Sequence, residues 1–380
     1  MYKIMTPGPT QVKENVRLAR ARECTNPDLD NEFVEFYKET CELISRLLHT
    51  ANETLILGGE GILGLEAACA SLTEPGDRVL VLDNGVFGKG FVDFVSMYGG
   101  VPRLYTVNDK NAIDPQRLEA FLEKDHDYKY ATLVHCDTPS GVLNDIGTLC
   151  PLLDKYGIPV VVDSVSAMFG EEVRVDEARI DILCGGSQKA VSAPPGLTFV
   201  TISGRAKKIM AERKVPIASF YANLRIFENY YEEKWFPYTM PISDIYGLRA
   251  AMENIAGDTD MLARHARIGE ACRRALTEAG LQLHLESGFS NTVTVFDVPE
   301  EVLAREILQV MREKHGIMLA GSLGVLDGQV IRIGHMGSNA NTEDMTETMG
   351  ALDDTLRSLG ISLKENLRER FCYYLGIGNK

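Results

Sequence analysis

The chain has 380 residues, 45% of them hydrophobic, enough to bury a substantial core and to divide into two domains. Its net charge of -15 is spread along the chain rather than gathered in a tail, which argues against electrostatic binding to nucleic acid or anionic lipid. The eight cysteines form no C-x-x-C pair, the start MYKIMTPGPTQV lacks a signal-peptide core, and no apolar run spans a bilayer, so free thiols and a cytoplasmic location are expected, with no metal site.

Residues 1–20 read as an N-terminal arm and 21–257 as a large domain. Within it, from about residue 50 to 205, short β-rich runs alternate with helical patterns: Thr54 to Leu57, Arg78 to Leu82, Ala131 to Cys136, Pro159 to Asp163, Ile182 to Cys184 and Leu197 to Ile202. That rhythm predicts an α/β fold, a mostly parallel sheet between helices, with ligands collecting at the carboxyl ends of its strands. Residues 205–250, rich in aromatics and prolines, read as a surface-crossing or subunit-contacting segment, or equally as a long connection. Residues 258–361 read as a smaller α+β domain: helix Met261 to Gly280, strand Asn291 to Phe296, helix Glu300 to His315, strand Val330 to Ile333 and a helix from Thr342. The tail 362–380 is charged, then aromatic, and suggests no role.

Three strand ends carry polar groups straight after apolar residues, in VVVDSVSA, ILCGGSQKA and LVHCDTPSG, and should meet at one rim of the sheet. In GGSQKAVSAPPG the backbone is pinned on both sides of Lys189, and a pinned, desolvated lysine becomes a nucleophile and base; a lone loop lysine is otherwise a solvated charge. Asp163 follows an apolar run, where a carboxylate is costly without a cation or donor; a pyridinium N–H would serve, as would a helix that it caps. Arg332 interrupts the apolar VIRIG. It calls for a carboxylate, either a substrate's, held bidentately, or a structural partner's.

Together, TPGPT, GEGILGLEAACASL, NGVFGKGF, HCDTPSG, VVDSVSA, GSQKAVSAPPGLT, FPYTMPISDIYGL and RIGHMG resemble the class V aminotransferases, fold-type I pyridoxal phosphate enzymes, over almost the whole chain. Within the family they resemble the pyridoxamine-pyruvate subfamily and, next, the alanine/serine-glyoxylate enzymes. The resemblance implies that Lys189 forms the Schiff base and that Asp163 pairs with the ring nitrogen. It further implies that Phe87 stacks on the ring, although core packing would suit Phe87 equally, that Thr138 lies near the ring oxygen, and that Arg332 binds the substrate carboxylate. Gln188 and Thr239 match positions at the cofactor's phosphate end, Thr239 reaching it from a partner subunit. A homodimer or dimer of dimers with shared sites is implied, acting on a small-molecule amino donor and a 2-oxo acid.

In GGEGILGLEAA, Glu60 stands where the family places a small hydroxyl residue, just before the helix that begins near Gly61 and would cup the phosphate. At about 4 Å and an effective dielectric near 20, two anions repel by about 4 kcal/mol. A carboxylate accepts a hydrogen bond from a 5'-hydroxyl, so the expected reaction is pyridoxamine plus pyruvate giving pyridoxal and L-alanine. Unphosphorylated pyridoxal or pyridoxamine would then be the substrate in place of bound pyridoxal 5'-phosphate. The alternatives are a solvent-facing Glu60 and a conventional phosphate-dependent alanine/serine-glyoxylate (or pyruvate) aminotransferase; Leu323, where the pyridoxamine subfamily has a second arginine, and the GSQK motif both lean that way. A desulfurase would need Cys136 or Cys184 mobile, and both read better as packing.

Overall fold

The computed structural model describes residues 2–377. Seven strands form the central sheet: β1 (Glu53–Gly58), β2 (Arg78–Asp83), β3 (Val101–Thr106), β4 (Tyr130–Val134), β5 (Val160–Asp163), β6 (Ile182–Gly186) and β7 (Leu197–Ile202), in the order β1-β7-β6-β5-β4-β2-β3. Only β7 runs against the rest, pairing antiparallel with both neighbours. The α/β reading with a mostly parallel sheet holds. Central strands are buried on both faces, so they read as continuous apolar runs; Val160, Val161 and Val162 are at most 1% exposed. Each such valine contributes about 1.5–3 kcal/mol through burial.

Several elements differ from expectation. β3, VPRLYT, is an edge strand of half-buried and exposed residues containing a proline, which hid its signal. The run from Ala131 stops at Val134, because His135 turns the chain into a two-residue ladder, Cys136–Asp137 against Val142–Leu143. Helix Asn31–Leu47 precedes the alternating region; it is capped by Asp30 and buries Phe33, Val34, Tyr37, Cys41 and Ile44 along one stripe. Helix Ala304–His315 begins four residues later than Glu300, after Pro299 and a turn. The stretch 205–250 takes in most of helix Gly204–Ala211 and the first part of helix Ile242–Ala256, joined by a segment that holds a short 3-10 turn, Leu224–Phe227, and whose rings Tyr230 and Phe236 pack on Tyr37 while Phe220, Tyr221 and Trp235 stay exposed.

A second core gathers Ile268, Leu276, Phe296, Ile307, Ile331, Met349 and Leu352, and two distant segments join it. From the tail, helix Leu367–Tyr374 adds Leu367 and Phe371. From the arm, Lys3–Ile4 pairs in parallel with Ile317–Met318, Met5 is fully buried, and Met5 O accepts from Gly334 N at 2.8 Å. The segment then crosses to the core around the central sheet, where Thr10 N donates to Gln188 O and helix Glu14–Arg20 packs on Ile242–Ala256. It is a strap between the two cores. Among the described residues no helix is long and apolar enough to cross a membrane.

Candidate active site

The carboxyl ends of β4, β5 and β6 open into a cleft of about 340 Å³ lined by Glu60, Gly61, Phe87, Thr138, Asp163, Gln188 and Lys189, with Gly8, Val165 and Ser166. Six parallel-running strands aim their carboxyl ends one way, and this rim is where such sheets take ligands. Seven of the sequence-predicted positions are thus brought together in one cleft. Arg332 stands beside it, its Nη1 donating to Thr138 O at 3.3 Å and its Nε to Gly321 O. Thr239 does not join them: it is exposed and donates to Asp28 Oδ2 at 3.2 Å.

Asp163 ends β5 and is 6% exposed. Oδ1 accepts from Val165 N at 2.9 Å, which does not balance its charge. Burial pushes its carboxyl up to about 7, against the pull of that amide and of the nearby Lys189. Lys189 follows β6 after Ser187 and Gln188, and burial together with the Arg332 charge brings its amine down to about 8. Nζ donates to Pro7 O at 2.7 Å and reaches Thr138 Oγ1 at 3.5 Å. Both acceptors are neutral, so the amine is held in place without being locked in the charged form.

Pro7 and Gly8 belong to the strap, and sequence reasoning did not single them out. Gly8 has φ +98°, and a Cβ there would lie 2.3 Å from Lys189 Cδ, so only glycine lets the strap lie against the lysine. The Pro-Gly-Pro of TPGPT was the available signal, but nothing in it names a partner 181 residues away. Ser166 was missed too; its hydroxyl bonds that of Thr138.

Arg332 lies among neutral carbonyls; desolvation lowers its guanidinium to about 10, and among the described residues no carboxylate is paired with it. A structural ion pair therefore does not explain it. Glu60 heads helix Gly61–Leu72 without capping it, and its exposed carboxylate accepts from Gln188 Nε2 at 3.0 Å. The residue faces solvent and still borders the cleft, in contact with the group expected at the phosphate end. Leu323 is 51% exposed and outside the cleft lining. Cys136 and Cys184 are buried, with burial raising both thiols, Cys136 to about 12, which leaves neither a reactive thiolate.

These residues fit a pyridoxal ring. Among the described residues Asp163 is a buried carboxylate with no cationic donor bonded to it and Lys189 an amine with no acidic group bonded to it, while Phe87 and Val165 offer apolar walls. At the helix head, where the resemblance expects a phosphate, no side chain caps the helix, but the Gln188 amide is spent on a carboxylate.

The sequence profile described as Aminotransferase class-V matches residues 11–332. A pyridoxamine–pyruvate transaminase of Mesorhizobium japonicum is 32% identical over 94% of this chain and 92% of its own length. An alanine–glyoxylate aminotransferase of Oryctolagus cuniculus is 29% identical over 93% and 92%. Among solved structures, a ureidoglycine-glyoxylate aminotransferase from Bacillus subtilis superposes with a TM-score of 0.95 at 26% identity, covering 99% of this chain and 98% of that one.

Proposed function

This chain belongs to the class V aminotransferases, and we propose that it moves the amino group of free pyridoxamine to pyruvate, yielding pyridoxal and L-alanine. The observation that carries this choice of substrate is the Glu60–Gln188 hydrogen bond at the head of helix Gly61–Leu72. If the phosphate lay at this helix head, as the resemblance implies, the pair would set an anionic acceptor against it and withhold the Gln188 amide from it. A 5'-hydroxyl can donate to that carboxylate.

When bound, the ring supplies an electron sink at its protonated nitrogen. Asp163 would keep that nitrogen protonated, the N–H giving the carboxylate the donor it otherwise lacks. Phe87 and Val165 would hold the ring plane. Arg332, with nitrogen donors left beyond those engaged by Gly321 and Thr138, would grip the 2-oxo acid carboxylate and orient its carbonyl carbon. Lys189 Nζ, partly uncharged near pH 8, would take a proton from the ring-side carbon and deliver it to the substrate α-carbon. Pro7 O, which accepts from Nζ at 2.7 Å, would hold the amine when it is not engaged with the ring.

A second reading, a conventional pyridoxal phosphate-dependent alanine/serine-glyoxylate (or pyruvate) aminotransferase, is favoured by Leu323, which offers no second cation, and by the uncapped helix amides. Both readings share Lys189, Asp163 and Arg332, a small-molecule donor and acceptor, and a homodimer or dimer of dimers in which Thr239 reaches the partner's site. Mass spectrometry of the ring that copurifies with the protein separates them. Unphosphorylated pyridoxal or pyridoxamine supports the first reading; stoichiometric pyridoxal 5'-phosphate supports the second.

A further inference from the structure

Helix Val86–Met97 opens on Gly85, which has no side chain to satisfy the first amide groups. The acceptor arrives from fifty residues along the chain: Phe87 N donates to Asp137 Oδ1 at 2.8 Å, and Ser140 Oγ donates to Asp137 Oδ2 at 3.1 Å. Gly85 permits the approach, since a Cβ there would lie 2.3 Å from Asp137 Cγ. Asp137 is 1% exposed, and among the described residues no basic side chain is paired with it.

Serine, threonine or asparagine at the cap would satisfy the same amides without burying a charge. A buried carboxylate is a costly way to hold a helix end, and its surroundings suggest why it is there. On one side it anchors Phe87, a wall of the cleft. On the other it adjoins Thr138, whose hydroxyl lies 3.5 Å from Lys189 Nζ and whose carbonyl accepts from Arg332 Nη1 at 3.3 Å; burial raises the Asp137 carboxyl, and the Phe87 amide and Ser140 hydroxyl work against that rise.

We propose that Asp137 is a positioning residue that fixes Phe87 against the ring and sets a negative charge near Arg332, against which the substrate carboxylate must bind. This rests on the functional reading above, with the ring against Phe87 and the carboxylate at Arg332. Two variants separate the roles. Asp137→Asn keeps an acceptor for Phe87 N and loses the charge; Asp137→Ala loses both.

The experiment pairs amide hydrogen exchange at residues 86–90 in ring-free protein with titration of pyridoxal and pyridoxal 5'-phosphate and with the KM for pyruvate. Asp137→Ala is expected to speed exchange and to weaken ring binding about tenfold, as loss of a good cap would. Asp137→Asn is expected to restore both and to lower the KM for pyruvate severalfold. Wild-type exchange at Phe87 in the alanine variant overturns the anchoring. Raised exchange with unchanged ring affinity overturns the positioning role, and an unchanged or higher KM in the asparagine variant overturns the role of the charge. Wild-type protein that binds neither ring overturns the functional reading and this inference with it, a failure visible before either variant is made.

Discussion

Replacing Asp163 with asparagine should stabilise the ring-free protein while destroying its capacity to hold the ring. The carboxyl is raised from 3.8 to about 7, so the folded protein keeps a proton that the unfolded chain has lost over that interval. Stability contributed by this group therefore falls as pH rises from about 4 to about 7, and is constant above. At 1.36 kcal/mol per pH unit the interval amounts to a ceiling of about 4 kcal/mol. Asparagine preserves the acceptor for Val165 N and carries no charge, so it escapes this loss. The assay is the melting temperature of ring-free wild-type and Asp163→Asn proteins from pH 4 to 8. The variant should match wild type near pH 4 and exceed it by several degrees at pH 8, while its affinity for pyridoxal falls at least tenfold. A constant difference across the pH range would refute the claim that Asp163 is a buried carboxylate waiting for a cationic partner.

Glu60→Ser should improve retention of pyridoxal 5'-phosphate. Glu60 is exposed, so repulsion at about 4 Å sits nearer the roughly 1 kcal/mol of a watery dielectric than the 4 kcal/mol of a drier site, a gain of about fivefold by equilibrium dialysis; unchanged retention would make it a solvent-facing helix residue only. Arg332→Lys loses the paired donors and should raise the KM for pyruvate at least tenfold with ring affinity intact, and a rise in ring dissociation instead would move Arg332 out of the substrate site. Burial holds the Lys189 amine down to about 8, so its reaction with an added aldehyde should rise with pH through about 8 and then level off; a rise continuing toward pH 10.5 would contradict the lowered value. Cys136→Ser should leave transamination nearly unchanged and the protein should release no sulfide from cysteine, whereas sulfide lost on that substitution would restore the desulfurase alternative.

Much of the site was legible because its residues directly follow apolar strands. Asp163, Lys189 and Thr138 each come where a buried run ends, and a parallel sheet brings those ends together. What stayed hidden depends on contacts made late in the chain's path. The strap is anchored by a two-residue pairing of Lys3–Ile4 with Ile317–Met318, too short to leave a periodic signal, and its meeting with Lys189 lies in a carbonyl and a missing Cβ. Asp137 sits beside Thr138 in the same quoted motif, yet its task is set by Phe87, fifty residues earlier. Helix Asn31–Leu47 carries a readable stripe and an Asp30 cap, but it stands ahead of the strand–helix alternation that marks the sheet. Thr239 lies on the surface of one chain, so its expected place in a partner's site is a property of an assembly that one chain does not contain.

On the proposed function the ring would enter and leave as a substrate, guided by Glu60 and worked on by Lys189. Purified protein incubated with pyridoxamine and pyruvate should produce pyridoxal and L-alanine in equal amounts, with no added phosphate ester and with turnover lost in Lys189→Ala. Absence of both products, together with tightly held pyridoxal 5'-phosphate that exchanges amino groups between alanine and glyoxylate, would contradict it.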